Sequence, residues 1–189
     1  MLRTPIVFII SLIILASCQK ENFLTDPSAN LSFSNDTILF DTVFSTIGST
    51  TQWLMVYNRN NSPVRISEIR LAGGPNSNYS LNIDGIAGFR ALDVEMEAND
   101  SLYIFVEVTV DPTNQNTPLV VHDSVVFELN GNIQDVDLVA WGQDVHLING
   151  KIIPVNSNDT VWTNDKPYLV YNSVLIDSLK TLTIQAGCS

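Results

Sequence analysis

Cysteine, histidine and positive charge are scarce in this chain of 189 residues. It contains 2 cysteines, 2 histidines and 9 basic residues against 20 acidic ones, which gives a formal net charge of −11. An acidic chain repels the phosphate backbone and anionic lipid headgroups, so we expect no nucleic-acid partner and no membrane adhesion through surface charge. The acidic residues are dispersed, which is typical of a surface that keeps a protein soluble.

The few cysteines and histidines exclude several classes of chemistry. His122 and His146 stand alone, and Cys18 and Cys188 are far apart in the sequence. The chain has no His-Glu-x-x-His motif, no glycine-rich phosphate loop and no nucleophile elbow. We therefore expect no catalytic residues, no metal site and no cofactor, and we leave enzymatic activity as undecided but disfavoured.

A membrane-spanning hydrophobic run is also missing. The apolar stretch over 5–15 is shorter than the roughly 20 residues that a spanning helix needs. Arg3 precedes it and small residues follow it, which is the order of a secretory signal. The phrase Leu15-Ala16-Ser17-Cys18 resembles the lipobox of bacterial lipoproteins. That resemblance implies a signal peptide over 1–17, cleavage between Ser17 and Cys18, and lipidation of Cys18. The alternative is an ordinary signal peptide followed by a chance cysteine.

Lipidation would anchor the chain to a membrane without crossing it, since two or three acyl chains hold a protein firmly. The polar stretch over 18–35 predicts a flexible tether. Its first residues, Gln19-Lys20-Glu21, resemble a tag that directs some lipoproteins to the outer face of the outer membrane; a generic linker is the alternative. We expect an outer-membrane protein at the cell surface, with the periplasmic face left open.

Short alternating apolar runs, interrupted by turn residues, cover 36–145 and predict an all-β fold. The clearest strand carries five aliphatic residues on one face, while Tyr103, Phe105 and Glu107 point the other way. Asn130-Gly131 predicts a hairpin turn because both residues tolerate positive φ. The aliphatic face of that strand consists of Leu102, Ile104, Val106, Val108 and Val110. The pattern favours an immunoglobulin-like antiparallel β-sandwich over 36–145.

Earlier strands are expected over 38–44, 52–58, 64–71, 79–83 and 92–96. In the third of these the alternation slips between Ile66 and Ile69, which predicts a bulge. In the fifth, Leu92, Val94 and Met96 are expected to face inward.

Two segments near these strands carry a family resemblance. Val56-Tyr57-Asn58, followed by Asn61-Ser62-Pro63-Val64-Arg65-Ile66, resembles the strand-turn-strand core of abnormal-spindle/hydin-type immunoglobulin-like domains. The resemblance covers about 36–143, although Asn61 and Ser62 stand where that family commonly has a glycine. Such domains act as spacers or interaction modules in that family, so the resemblance implies this role. It implies no particular activity, because a fold does not specify one.

The pattern changes over 146–189. Thr160-Val161-Trp162 and Leu182-Thr183-Ile184-Gln185-Ala186-Gly187 resemble the entry segment of right-handed parallel β-helix proteins. We expect an incomplete, truncated β-helix entry segment that is frayed, because a solenoid needs several stacked turns to bury a core. An irregular extension is the alternative.

The remaining candidates are acidic and aromatic side chains. Asp93, Glu95 and Glu97, or Asp135 and Asp137, could attract calcium, but a solvated strand face is the simpler interpretation. Trp53, Trp141 and Trp162 could stack on sugars, but the first two are expected to be partly buried packing residues.

The function expected from the sequence is therefore a lipid-anchored, non-catalytic envelope spacer or interaction module that presents a C-terminal β-helix. Its partners would be the membrane, through the N-terminal lipid, and a glycan or an envelope protein. Two alternatives remain open: the anchor of a β-helix polysaccharide-degrading enzyme, and a glycan-binding module.

Overall fold

The structure, a computed structural model, describes residues 22–45, 47–111, 119–153 and 158–189. Within these ranges the chain is all-β, as predicted, with one short 3-10 turn over Gly74–Asn76. The strands are β1 Ser32–Phe33, β2 Thr37–Phe44, β3 Gln52–Tyr57, β4 Val64–Leu71, β5 Tyr79–Ile83, β6 Ile86–Gly88, β7 Arg90–Met96, β8 Ser101–Val108, β9 Leu119–Leu129, β10 Asn132–Gln143, β11 His146–Ile153, β12 Thr160–Trp162, β13 Tyr168–Ile176 and β14 Leu182–Ile184.

Two five-stranded sheets share one hydrophobic core. The first sheet has the order β1-β3-β8-β5-β6 and the second has the order β2-β10-β9-β4-β7. Phe33 of the first sheet packs on Phe127 of the second, with ring centroids 4.8 Å apart. The Tyr79 hydroxyl crosses between the sheets and donates to the Val121 carbonyl at 2.8 Å. Burial, helped by the nearby Asp123 carboxylate, raises the pKa of that hydroxyl.

The strand predicted most clearly is confirmed. All five aliphatic residues from Leu102 to Val110 are buried, and Tyr103, Phe105 and Glu107 are exposed. The turn between β9 and β10 is also confirmed, with φ of 52° at Asn130 and 84° at Gly131.

The second sheet is mixed, whereas the sequence predicted an antiparallel arrangement. β2 runs parallel to β10, with Ile38 opposite Leu138, and their register shifts between Val139 and Trp141. β2 lies between β1 and β3 in the chain, and both of these strands belong to the first sheet. Because no hairpin joins β2 to β10, the antiparallel direction is not imposed on this pair.

Leu92 is 55% exposed, although the alternation placed it inside. Asp93 has a φ of 51°, in the left-handed region, which breaks the alternation of β7. Burial in β4 changes phase between Ile66 and Ile69 as expected, but the pairing of β4 with β7 keeps one register across this point. The irregular residue is therefore Asp93 of β7, and not a residue of β4 as the predicted bulge required.

Residues 24–33 lie against the sheets, where the sequence predicted a flexible tether. Ala29 and Leu31 belong to the hydrophobic core, and Ser32–Phe33 pairs with β3. The Gln134 side chain accepts from Leu31 N at 2.8 Å and donates to Leu31 O at 3.0 Å, so it takes the place of a strand neighbour. Side-chain amides of the β9–β10 hairpin, about a hundred positions away in the sequence, therefore hold the polar segment 24–33 in place.

The C-terminal unit, residues 146–189, pairs in parallel with itself. β11 pairs with β13 and β12 pairs with β14. His146 lies opposite Tyr168 and Thr160 lies opposite Leu182, so both pairs join residues 22 positions apart. None of its described residues belongs to the buried hydrophobic core.

Candidate functional site

The residues on which lipid attachment would depend, Ser17 and Cys18, lie outside the described residues. The described residues begin at position 22. Leu24 N donates to Pro63 O at 2.8 Å, and the Arg65 guanidinium lies 4.3 Å from the Phe23 ring. In the described part of the chain, no helix has the length and apolar character needed to span a bilayer.

The C-terminal unit consists of two successive turns of chain, β11–β12 and β13–β14. The same backbone corner, a residue with left-handed φ, occurs in the first strand of each. Gly150 and Asn172 are 22 positions apart, and both adopt left-handed φ, at 59° and 63°. Beside this corner the Asn172 carboxamide donates to Asn149 Oδ1 at 2.7 Å. That bond joins residues 23 apart, and Thr181 N donates to Asp159 Oδ1 across 22 positions. The repeat is therefore present in the backbone, in the register and in side-chain hydrogen bonds.

An aromatic and polar cluster lies where the first turn leads into the second. Trp162 stacks on Tyr168 with ring centroids 4.4 Å apart and an interplanar angle of 7°. His146 contacts the same tyrosine ring, and its Nε2 lies 3.0 Å from Asp165 Oδ1. A hydrogen bond from Thr163 and a second from His146 lower the pKa of Asp165 to about 2. The cluster orders the corner of the turn and leaves Asp165 ionised at neutral pH.

The sheets and the C-terminal unit are joined by a short connection that contains a buried carboxylate. Asp144, between β10 and β11, is buried, and the Lys166 ammonium lies 3.4 Å from its Oδ2. The lysine is also largely buried. Because an isolated buried carboxylate is costly, this pair favours a defined connection between the sheets and the first parallel strand.

A row of aromatic side chains lies on the outer face of the first sheet. Trp53 on β3 is 52% exposed, and Tyr103 and Phe105 on β8 are 46% and 44% exposed. The ring centroids of Trp53 and Tyr103 are 6.1 Å apart, and those of Tyr103 and Phe105 are 6.4 Å apart with nearly parallel ring planes. Antiparallel pairing causes this juxtaposition, since Trp53 lies directly opposite Phe105.

Polar side chains border one end of this row. Asn82 lies opposite Phe105 on β5, and Ser80 lies opposite Glu107. These residues and Phe105 line a shallow cleft of about 160 Å³. Glu107 accepts a hydrogen bond from Thr51 at 2.6 Å, whereas Asn82 Oδ1 is buried without a hydrogen-bond partner in the described structure.

The other candidates from the sequence do not form a site. Trp141 is 41% exposed on the second sheet, away from the aromatic row of the first. Glu95 pairs with Arg65 at 2.7 Å. Within the described ranges, no three side chains of His, Cys, Asp or Glu lie close enough together to hold a metal ion. Cys188 is half-buried and has no disulfide partner there.

No family model matches the chain, and no curated protein matches it. Among solved structures, a protein of unknown function from Porphyromonas gingivalis is 13% identical with a TM-score of 0.44, covering 65% of this chain and 59% of that one. A family 123 glycoside hydrolase from Clostridium perfringens is 9% identical with a TM-score of 0.41, covering 65% and 30%. The E. coli chaperone DraB is 10% identical with a TM-score of 0.38, covering 59% and 54%. The chain spans less than two thirds of each protein, and similarities of this size carry no argument about its function.

The sequence identified members of the aromatic row but not the row itself. It placed Tyr103 and Phe105 outward on their strand, and it named Trp53 as an aromatic candidate while expecting it to be partly buried. The missing information was the register of β3 against β8, which brings the three rings together. Alternation within a strand gives the direction of a side chain but not its neighbour across the sheet.

Proposed function

We propose that this protein is a lipid-anchored, non-catalytic spacer and interaction module of the bacterial cell envelope, attached through Cys18. Its two sheets form an immunoglobulin-like β-sandwich of the abnormal-spindle/hydin type. Its C-terminal unit is the entry segment of a parallel β-helix, which the sandwich holds away from the membrane.

The observation that carries the proposal is the parallel pairing 22 residues apart in the C-terminal unit. Both strand pairs begin at this spacing, which becomes 23 beyond Asn149 in the β11–β13 pair, and the left-handed corner at Gly150 and Asn172 lies at that shift. Repetition of backbone geometry at a fixed interval is the mark of a solenoid. Its apolar side chains remain largely uncovered, among them Val170, Leu175 and Ile184. Such a stack is suited to contact further turns rather than to stand alone.

A second observation supports the spacer role of the sandwich. Cys18 and Leu24 are six positions apart, and a fully extended chain covers at most about 3.6 Å per residue. A lipid on Cys18 would therefore lie within about 22 Å of the first residues that pack on the sheets. The folded module, and not a long tether, would set the distance between the membrane and the C-terminal unit.

The motif by which the sandwich resembles that family contains one buried amide. Asn58, in the motif that resembles the family, is 1% exposed. Its carboxamide donates to Ser62 O at 3.0 Å and to Glu97 O at 2.7 Å, and its Oδ1 accepts from Asn60 N. The motif thus fastens the β3–β4 turn to the β7–β8 turn, which supports an interpretation of the motif as structural.

Membrane fractionation combined with protease treatment of intact cells tests this function. We expect the wild-type chain in the membrane fraction, cleaved by external protease and carrying acyl chains, and we expect the Cys18→Ser variant to carry none. A membrane-bound chain that resists external protease would place the module on the periplasmic face. Acylation of the Cys18→Ser variant would contradict anchoring through this residue.

A further inference from the structure

The outer face of the first sheet carries an apolar surface that the sandwich does not need for its own core. Trp53, Tyr103 and Phe105 are each about half exposed to water, while their neighbours Leu54 and Ile104 on the opposite face are fully buried. A contiguous exposed apolar patch is uncommon on a soluble module and often marks a binding surface.

The size of this row favours a slender ligand over a protein. Three half-exposed aromatic rings present about 300 Å² of apolar surface, taking about 100 Å² for each. A stable protein interface needs about 800 Å² on each partner. The aromatic row alone is therefore too small to hold a second copy of this chain.

The charge of the face selects among slender ligands. The row itself is uncharged from Trp53 to Phe105, and the flanking Glu107 is hydrogen-bonded to Thr51. At the other end, the Arg59 guanidinium lies 4.9 Å from the Tyr57 ring. Because the whole chain carries a net charge of −11, polyanions are repelled. A neutral ligand matches both the row and the rest of the molecule.

We propose that the aromatic row Trp53–Tyr103–Phe105 is a binding site for a neutral glycan chain. The apolar C–H faces of successive sugar rings lie on the three aromatic rings. Sugar hydroxyls find hydrogen-bonding groups on Ser80 and Glu107, in the cleft beside Phe105 that Asn82 also lines. A few polar groups at the edge of an apolar surface fix the orientation of a ligand in this way. The site does not depend on lipid attachment.

Affinity electrophoresis of the purified full-length chain tests the proposal. The gels contain mixed-linkage β-glucan, xyloglucan, mannan or dextran, and polygalacturonate serves as the anionic comparison. We expect at least one neutral polysaccharide to retard the wild-type chain and polygalacturonate to leave it unchanged. Trp53→Ala and Tyr103→Ala each weaken binding about tenfold, as the loss of one stacked ring predicts.

Trp141→Ala is the matched control, because this tryptophan is similarly exposed but lies on the other sheet. It should keep wild-type retardation, and Trp53→Phe should keep most of it because a ring remains. The proposal is overturned if no neutral polysaccharide retards the wild-type chain, or if Trp141→Ala loses as much binding as Trp53→Ala. Sedimentation that shows a wild-type dimer and a Trp53→Ala monomer would assign the face to a second copy and would overturn it as well.

Discussion

Asn172 donates a hydrogen bond from its carboxamide to Asn149 Oδ1 at 2.7 Å, across one turn of the C-terminal unit. The donor also occupies a left-handed corner, at the position where the preceding turn has Gly150. One asparagine thus has two roles in the parallel pair β11–β13: it adopts the left-handed backbone conformation, and its side chain contacts the partner strand.

Substitution of Asn172 separates these two roles. Asn172→Gly keeps the left-handed corner but loses the side-chain bond, whereas Asn172→Ala loses the bond and also strains the corner by about 1 kcal/mol. We expect amide exchange in β11 and β13 to accelerate in both variants, and more in Asn172→Ala. Exchange in β8 should stay at the wild-type rate. A larger effect of glycine than of alanine would contradict this account of the corner.

The C-terminal unit should open more readily than the two sheets. It buries no described residue in the hydrophobic core. β13 pairs as a strand with β11, and beyond that pairing Tyr168 N donates to Ser189 O at 2.8 Å. Local opening costs least where few apolar contacts are lost. In hydrogen exchange of the wild-type chain, amides over 160–187 should therefore exchange well before those of β8 and β10. Equal protection of the two regions would show that the unit is stabilised by contacts absent from this account.

Gly142 should not tolerate a side chain. A Cβ at this buried position would lie 2.8 Å from Val110 Cγ1, which is well inside van der Waals contact. We expect Gly142→Ala to lower the free energy of unfolding by about 1–3 kcal/mol in urea titration, which is the usual cost of overpacking. Gly48→Ala is the control, because its Cβ would meet only Thr109 Oγ1 at 3.9 Å. Equal losses in the two variants would rule out the close approach to Val110 as the cause.

Asn58 should contribute more to stability than an exposed asparagine. Asn58→Ala would leave the Ser62 and Glu97 carbonyls without this donor in a buried site, at a cost of about 2 kcal/mol. Asn78 is exposed and donates only to Thr109 O at 3.1 Å, so Asn78→Ala should change the free energy of unfolding by no more than about 0.5 kcal/mol. Urea titration of both variants measures the difference, and the interpretation of Asn58 fails if the two variants are equally stable.

Acid should loosen the corner at Trp162 before it affects the sheets. The pKa of Asp165 falls from 3.8 to about 2, first through Thr163 and then through His146. Because the folded-state value is the lower one, its stabilisation is fully present above about pH 3.8 and is lost as the pH falls through about 2. Fluorescence of Trp162, in a chain with Trp53→Phe and Trp141→Phe, should change over that interval. Asp165→Asn should lack the transition; its persistence there would assign the change to another group.

The strands with one buried face were predictable from the sequence because their alternation is regular. β8 is the clearest case, and the hairpin at Asn130 and Gly131 follows from residues that tolerate positive φ. Leu92 was misplaced because a single left-handed residue, Asp93, changes the face on which its neighbours lie. Alternation carries no signal for such a residue until the backbone is known.

Contacts between distant segments were not predictable from local pattern. Leu31 is held by Gln134 and the rings of Trp53 and Phe105 are brought together by register, so neither arrangement is visible in a window of a few residues. The parallel spacing of the C-terminal unit is likewise a tertiary feature. His146 and Tyr168 share aromatic character, but most residues of the two turns differ in type.

Intact mass spectrometry of the chain from the membrane fraction detects attachment through Cys18 itself. We expect a species that lacks residues 1–17 and carries acyl chains on Cys18, together with an unmodified Cys18→Ser variant. A wild-type chain that retains residues 1–17, or one that is cleaved without any acyl mass, would contradict this attachment.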